Sequence, residues 1–314
     1  MIISASRRTD IPAYYSDWFF RRIREGSVLV RNPMAFHQIS HIDLTPDVVD
    51  GIVFWTKNPL PMLDRLRELN EYMYYFQFTV TPYGESVEPN LPSKNDVILP
   101  SFKRLSDSIG ADRVIWRYDP ILLNEKYTSD YHILAFGKIA KALHGYTKKV
   151  TISFIDEGYR GVKGNSKELA LQDVPPSVQT HLGAQLAEIA RGYGLSMAAC
   201  AEKIDLRPFG IEPARCIDDR LLGSLLGTVL HVGKDKNQRP ECGCVASVDI
   251  GMYNTCLANC RYCYANYNKR AAAGNYARHD PYSALISGKP GEGDTVKARE
   301  AKPLREAQMR LFNS

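Results

Sequence analysis

The chain lacks long hydrophobic runs and an export signal. No apolar stretch reaches the roughly 18 residues that a membrane span requires. Residues 1–10 contain no basic region followed by an apolar core, unlike secretory signals. We therefore expect a soluble, cytoplasmic protein. Disulfides form mainly in oxidising compartments, so the seven cysteines predict metal or redox chemistry.

The chain also lacks a large excess of charge of one sign and a nucleotide-binding glycine motif. The formal net charge of +5 permits an anionic substrate without requiring one. No Gly-x-Gly-x-x-Gly turn is present, which disfavours a dinucleotide-binding sheet. A hydrophobic share of 44% is typical of a globular protein with a sizeable core.

Three cysteines with the spacing C-x3-C-x2-C stand near the end of the chain. They are Cys256, Cys260 and Cys263, and Tyr262 directly precedes the third. Three thiolates on one loop can hold three irons of a [4Fe-4S] cluster and leave the fourth iron open to a small molecule. Zinc sites more often use two C-x2-C pairs, and ferredoxin loops carry a fourth cysteine followed by proline. Zinc and simple electron transfer are thus weaker alternatives.

Four further cysteines are present, enough to complete a second metal site. A set of four thiolates can hold another [4Fe-4S] cluster or a structural zinc ion. Residues i and i+2 of an extended segment share one face, so Cys242 and Cys244 can bind the same metal. Cys200 and Cys216 could instead be buried core residues. We predict a second iron-sulfur cluster in preference to zinc.

Seven short β-type runs alternate with helical patterns along the chain. The runs occupy residues 2–6, 51–56, 74–80, 113–118, 150–154, 195–200 and 245–252. Helical patterns cover residues 15–24, 61–72, 99–110, 129–143 and 177–193. Such alternation predicts a parallel sheet, because parallel neighbours need crossover connections. We expect an α/β fold with a partial or closed parallel (β/α) barrel.

The same pattern suggests three parts of the chain. Residues 1–204 and 245–270 form the predicted barrel, and residues 205–244 form an insertion that carries the second metal site. Residues 271–314 are expected to form a C-terminal strap, with a short helix over 303–312. In a barrel of this kind the chemistry lies at the carboxyl ends of the strands. Asp10 and Thr56 at those ends could also serve as helix caps.

The cysteine spacing, with its aromatic residue, resembles the signature of radical S-adenosylmethionine (SAM) enzymes. The resemblance implies that SAM chelates the open iron and is cleaved reductively. A 5′-deoxyadenosyl radical then abstracts hydrogen from a substrate. It also implies an electron donor such as flavodoxin or ferredoxin. Radical SAM barrels begin with the cysteine-bearing strand, whereas here that strand comes last. Circular permutation accounts for this order.

The chain shows two further resemblances, one in the order of short motifs and one along nearly its whole length. Thr56-Lys57, Glu88-Pro89 and Pro120-Ile121 resemble strand motifs of the spore photoproduct lyase-like branch, which implies a nucleic-acid or nucleotide substrate as one option. The chain is also similar, nearly end to end, to the family called domain of unknown function 1848. That similarity runs through residues 4–14, 54–59, 238–239, 242–244, 249–254 and the cysteine loop. It implies a cofactor but no substrate.

The radical SAM resemblance assigns expected roles to residues at the strand ends. Tyr262 is expected against the adenine of SAM. The carboxylate of SAM needs a cationic partner, for which Arg117 is preferred and Lys57 and Arg7 compete. The candidates for the amino group or ribose of SAM are Ser6, Ser153, Glu202 and Asp119. Structural ion pairs among these residues are the alternative to ligand contact.

One departure from the radical SAM pattern keeps a second function class open. The glycine-glycine-glutamate motif expected on the strand after the cysteine loop is absent, and residues 4–8 stand in its place. A non-SAM iron-sulfur protein that transfers electrons or senses redox state is therefore the alternative.

Overall fold

Two β-sheets organise residues 1–305, the part of the chain that the computed structural model describes. The strands are β1 Ile2–Ala5, β2 Ser27–Arg31, β3 Gln38–Asp43, β4 Gly51–Thr56, β5 Tyr74–Thr79, β6 Val114–Ile121, β7 Lys149–Phe154, β8 Ser196–Ala199, β9 Ile211–Pro213, β10 Val248–Asp249 and β11 Thr295–Ala298.

Helices of three types connect the strands. The α-helices are α1 Ile11–Tyr14, α2 Ser16–Arg24, α3 Leu99–Ile109, α4 Ser129–Leu143, α5 Arg160–Gly164, α6 Ser166–Leu169, α7 Pro176–Gly192, α8 Asp219–Leu226 and α9 Lys269–Ala277. Segments Leu60–Leu69, Ala111–Arg113 and Arg207–Phe209 are 3-10 helices, and Lys94–Ile98 is a π-helix. Within residues 1–305, every helix is too short or too polar to cross a bilayer.

The main sheet has eight strands in the order β10-β1-β4-β5-β6-β7-β8-β9. Every neighbouring pair in it is parallel, which confirms the predicted parallel α/β fold. The sheet ends at β10 on one side and β9 on the other. β10 pairs with β1, so that Ile3 lies opposite Val248 and Ser4 opposite Asp249. The strand that leads to the cysteine loop is thus a neighbour of the first strand.

Alternate residues of the main sheet belong to two different hydrophobic cores, as the pleat requires. Ile52 and Phe54 of β4 pack in the core that contains residues of α2, α3, α4 and α7. Val53 of the same strand packs instead with Ile2 and Tyr75 in a second core. The other side of that second core consists of residues 214–245, including three cysteines. The cysteine-bearing insertion therefore covers one face of the sheet.

The structure differs from the sequence-based predictions both within single elements and in one long-range pairing. The expected strand over 245–252 is reduced to Val248–Asp249, and the helix expected over 61–72 is a 3-10 helix. A second sheet, in the order β11-β3-β2, is an addition to the predicted elements. Its strand β11 pairs in parallel with β3 from far along the chain, so local patterns cannot reveal it. Residues 303–304 are not helical, and residues 306–312 of the expected terminal helix lie outside the described part.

Candidate functional site

A cleft opens at the carboxyl ends of the main-sheet strands. Its volume of about 550 Å³ lies within the usual range of small-molecule sites. Ser6 follows β1, Lys57 follows β4 and Cys200 follows β8, and all three line the cleft. All seven cysteines of the chain also line it: Cys200, Cys216, Cys242, Cys244, Cys256, Cys260 and Cys263. Two groups of thiols that are separated in sequence therefore share one cavity.

Most of the predicted SAM-contact residues line the same cleft. Besides Ser6 and Lys57 they are Arg7, Arg117, Asp119, Ser153 and Tyr262. Glu202 is not among the lining residues. Its carboxylate accepts a hydrogen bond from the backbone N–H of Phe154 at 2.7 Å, and burial raises its pKa to about 7. Glu202 thus supports the end of β7 from beside the cleft.

Asparagine side chains hold the three-cysteine loop in shape. Asn254 has a left-handed φ of +52°, and its side-chain oxygen accepts hydrogen bonds from the N–H groups of Tyr267 and Asn268 at 3.0 Å. Asn266 donates to the carbonyl oxygen of Cys256 at 2.7 Å. Asparagine tolerates left-handed backbone better than most residues, which is the one sequence signal that could have identified Asn254. The sequence analysis missed both asparagines.

Burial raises the pKa values of the three thiols of the loop. It raises the pKa of Cys256 and of Cys263, and it raises the pKa of Cys260 to about 12. The cause is desolvation, which disfavours the charged thiolate. A thiol that coordinates a metal is deprotonated outright, because the metal charge replaces the lost hydration. Three thiols whose charged forms are destabilised by desolvation could therefore be held by a positively charged iron centre.

The loop packs closely against α5. A Cβ atom added to Gly161 would lie 2.1 Å from the carbonyl oxygen of Cys263, far inside van der Waals contact. No side chain other than hydrogen fits at this position without displacing the cysteine loop or the helix. The neighbouring Gly164, in the same helix, has open space around its added Cβ.

Replacing Gly161 by alanine is therefore expected to disturb the loop. Overpacking of this kind costs about 1–3 kcal/mol in the free energy of unfolding, and we expect iron retention to fall with it. Denaturant unfolding and iron content per chain measure the two effects. Gly164→Ala is the matched control, and equal behaviour of the two variants would contradict the close packing.

Tyr262 joins a buried charge network at the wall of the cleft. Its hydroxyl donates to the carboxylate of Glu88 and accepts from Lys57 Nζ at 2.6 Å. Lys57 also contacts Glu88 at 2.8 Å, and Lys94 binds the second carboxylate oxygen. Burial alone would raise the pKa of Glu88, but the two ammonium groups outweigh it and hold the pKa at about 2. Lys57, one of the predicted SAM contacts, is thus engaged in an ion pair.

Asp10 connects the start of α1 to the end of β4. Its carboxylate caps α1 through the N–H of Ala13 at 3.1 Å. It also accepts from the hydroxyl of Thr56 and the N–H of Lys57, both at 2.7 Å. Burial raises the pKa of Asp10 to about 6. The cap role considered for Asp10 is therefore present, and both Asp10 and Thr56 also line the cleft.

Asp249 fastens β10 to the residues that follow β1. Its carboxylate accepts from the hydroxyl of Ser6 at 2.6 Å and from the N–H of Arg7 at 2.8 Å. A Cβ atom added to Gly251 would lie 2.1 Å from Ser6 Oγ, so glycine is required there. The Arg7 guanidinium forms an ion pair with Asp235 at 3.5 Å and donates to the hydroxyl of Ser247 at 3.2 Å.

Arg117 faces the second group of cysteines. Its Nη1 donates to Cys216 Sγ at 2.8 Å, and its Nη2 donates to the carboxylate of Asp119. Ser153 donates to the other oxygen of Asp119. The fork that was predicted to hold the SAM carboxylate is thus divided between a thiol and a carboxylate of the chain itself.

The four remaining cysteines come together from three parts of the sequence. The Sγ atoms of Cys200 and Cys216 are 3.5 Å apart, and Cys244 Sγ accepts from the N–H of Ile217 at 3.4 Å. All are free thiols, since the 3.5 Å separation greatly exceeds the roughly 2.05 Å of a disulfide bond. Contacts with the thiols of Cys200 and Cys244, together with the charge of Arg117, lower the pKa of Cys216. Contact with Cys244 lowers the pKa of Cys242 to about 6.

Within residues 1–305, no group of three or more histidine, cysteine or carboxylate side chains surrounds one point as the ligands of a single ion do.

The family relationship rests on most of the chain. The model of the family described as domain of unknown function (DUF1848) matches residues 2–265. This range contains the main sheet, the insertion and all seven cysteines. The curated proteins contain no match to the chain. The chain belongs to the family of the domain of unknown function 1848.

Proposed function

We propose that the protein is a radical SAM enzyme that reductively cleaves SAM at a [4Fe-4S] cluster and so starts hydrogen abstraction from a substrate. The observation that carries the proposal is the position of the C-x3-C-x2-C loop. Cys256, Cys260 and Cys263 line the cleft into which the carboxyl ends of the parallel strands open. A cluster on this loop would face a cavity of about 550 Å³, enough for small molecules.

The fold proposed with this function is a partial barrel of the radical SAM type, circularly permuted. Two contacts support the permutation. β10 pairs in parallel with β1, and Asp249 of β10 binds Ser6 just after β1. Read from β10, the sheet order begins with the strand that leads to the cysteine loop and continues with β1 and β4. This is the order expected of an unpermuted radical SAM barrel.

The chain's own residues provide the setting for this chemistry. When bound, the cluster would supply the electron that cleaves SAM. Asn254 and Asn266 fix the loop, and Tyr262 ties it to the Lys57–Glu88 ion pair. The loop is therefore held from two sides before any ligand binds.

Arg7 is the cation that we propose for the carboxylate of SAM. Lys57 and Arg117, the other two candidates, are committed to Glu88 and Asp119. Arg7 is paired more loosely, with Asp235 at 3.5 Å, and its Nε has no hydrogen-bond partner within residues 1–305. Thr9 Oγ1, also in the cleft wall, has none in that range either. Polar atoms without partners at a cleft wall favour a polar ligand.

The test is product formation by anaerobically purified protein. Incubation with SAM and dithionite is expected to release 5′-deoxyadenosine, which chromatography detects, and omission of the reductant should prevent it. Protein that carries iron and sulfide but releases no 5′-deoxyadenosine would contradict the proposal and favour an electron-transfer or redox-sensing role. A cytoplasmic location and a flavodoxin or ferredoxin as donor are proposed with the function. The nucleic-acid substrate stays a prediction.

A further inference from the structure

We propose that Cys200, Cys216, Cys242 and Cys244 bind a second [4Fe-4S] cluster in the wall of the cleft that also contains the three-cysteine loop. This inference goes beyond the proposed function, because radical SAM cleavage needs only the first cluster. It concerns residues of the insertion and the residue that follows β8.

The first argument is convergence. Cys200 follows β8, Cys216 follows β9, and Cys242 and Cys244 precede β10. These segments are far apart in sequence, yet the first two sulfurs are 3.5 Å apart and Cys244 Sγ binds the residue next to Cys216. Four thiolates are the complete ligand set of a [4Fe-4S] cluster. Cysteines that only fill space in a hydrophobic core do not need to lie next to one another.

The second argument is the way the backbone supports these thiols. The carbonyl oxygen of Cys216 accepts from Tyr75 at 2.7 Å and from Gln77 at 2.8 Å, both on β5. A Cβ atom added to Gly243 would lie 2.7 Å from the carbonyl oxygen of Ala214. Only glycine therefore fits between Cys242 and Cys244 without displacing the strand that leads to Cys216. The insertion is fastened to the sheet at its cysteines.

The third argument is charge. Four thiolates on a cluster leave a net negative centre, and Arg117 Nη1 already lies 2.8 Å from Cys216 Sγ. Hydrogen bonds and positive charge at ligand sulfurs tune the potential of iron-sulfur clusters. Arg117 is buried, so its charge acts in a poorly screened environment. We assign Arg117 to this centre as a positioning and tuning residue.

A cluster is preferred to zinc because the same cleft contains the three-cysteine loop, whose spacing is typical of iron-sulfur ligation. Zinc is the alternative that the metal analysis below tests.

The experiment compares metal content in the full-length holoprotein and two variants. Anaerobically purified wild-type protein is expected to contain about eight irons and eight sulfides per chain, four for each cluster. The double variant Cys242→Ala/Cys244→Ala is expected to lose about half of both and to keep a SAM-shifted paramagnetic signal. Glu241→Ala, a change to the adjacent residue, is the matched control and is expected to keep all of the iron.

Three outcomes would overturn the inference. They are a wild-type content of about four irons, an unchanged iron content in the double variant, and loss of about one zinc ion per chain in place of iron. If the double variant does not fold, the inference is tested by the metal content of the wild-type protein and by the number of cluster signals in its reduced state.

A loop variant separates this inference from the proposed function. Cys256→Ala/Cys260→Ala/Cys263→Ala is expected to retain about four irons on the second site. Retention supports the second cluster even if wild-type protein does not cleave SAM, and complete loss of iron from a folded loop variant would overturn it. In that variant, Arg117→Met is expected to shift the reduction potential of the remaining cluster to more negative values, because a cation near the sulfurs is removed. An unchanged potential would overturn the role of Arg117.

Discussion

Replacing Cys260 by alanine is expected to remove about four irons per chain and to abolish the release of 5′-deoxyadenosine. Cys260 is buried in the middle of the loop, among Tyr83, Ala258 and Tyr262. Loss of one of three thiolates leaves two, which do not secure a four-iron cluster against solvent. Iron and sulfide analysis, together with a timed assay for 5′-deoxyadenosine, measures both effects.

Tyr267→Phe is the control for this variant. Tyr267 lies four positions after Cys263 and the residue is 40% exposed, so the change removes a hydroxyl near the loop without touching a proposed ligand. We expect it to retain iron and product formation. If Cys260→Ala released 5′-deoxyadenosine at the rate of the control, the loop would not be the site of SAM cleavage.

Replacing Glu88 by glutamine is expected to reduce the free energy of unfolding by about 3–5 kcal/mol, the range for breaking a buried ion pair. The substitution leaves Lys57 and Lys94 close together without their shared carboxylate. It also weakens the partner of the Tyr262 hydroxyl. Denaturant titration of the metal-free chain measures the change. Glu85→Gln, at an exposed position three residues earlier, should leave stability nearly unchanged, and a similar loss there would contradict the prediction.

The low pKa of the Glu88 carboxylate predicts that the free energy of unfolding depends on pH. The pKa of Glu88 is about 2 in the folded protein, below its ordinary value of 4.5. A depressed pKa stabilises the fold at pH values above 4.5, and this stabilisation is lost as the pH falls from 4.5 towards 2. The contribution amounts to about 3 kcal/mol at 1.36 kcal/mol per pH unit. Unfolding measured across this range should show a smaller acid loss in Glu88→Gln than in wild type, and equal slopes would contradict the pairing.

The main sheet could be predicted from sequence because its signals are local. Buried strands such as β4 and β5 are short runs of apolar and aromatic residues, and helical patterns separate them. The second sheet could not be predicted in this way. β3 pairs with β11, more than 250 residues later, and such pairing leaves no local trace.

The candidate site was predictable in composition but not in its pairings. The strand-end rule identifies Lys57 and Arg117 as cleft residues, and both line the cleft. Their partners are distant in sequence: Glu88 lies 31 positions from Lys57, and Cys216 lies 99 positions from Arg117. A rule about strand ends places a charge at a rim, but it does not reveal which buried group neutralises that charge. Contacts of the folded chain are needed for that.

The most direct test of SAM binding at the three-cysteine loop is electron paramagnetic resonance of the reduced protein with and without SAM. SAM that chelates the open iron changes the ligand set of that iron. We predict a shifted cluster signal on addition of SAM in wild-type protein, and no such shift in Cys260→Ala. An identical wild-type spectrum in the presence and absence of SAM would contradict the proposal that this loop binds SAM.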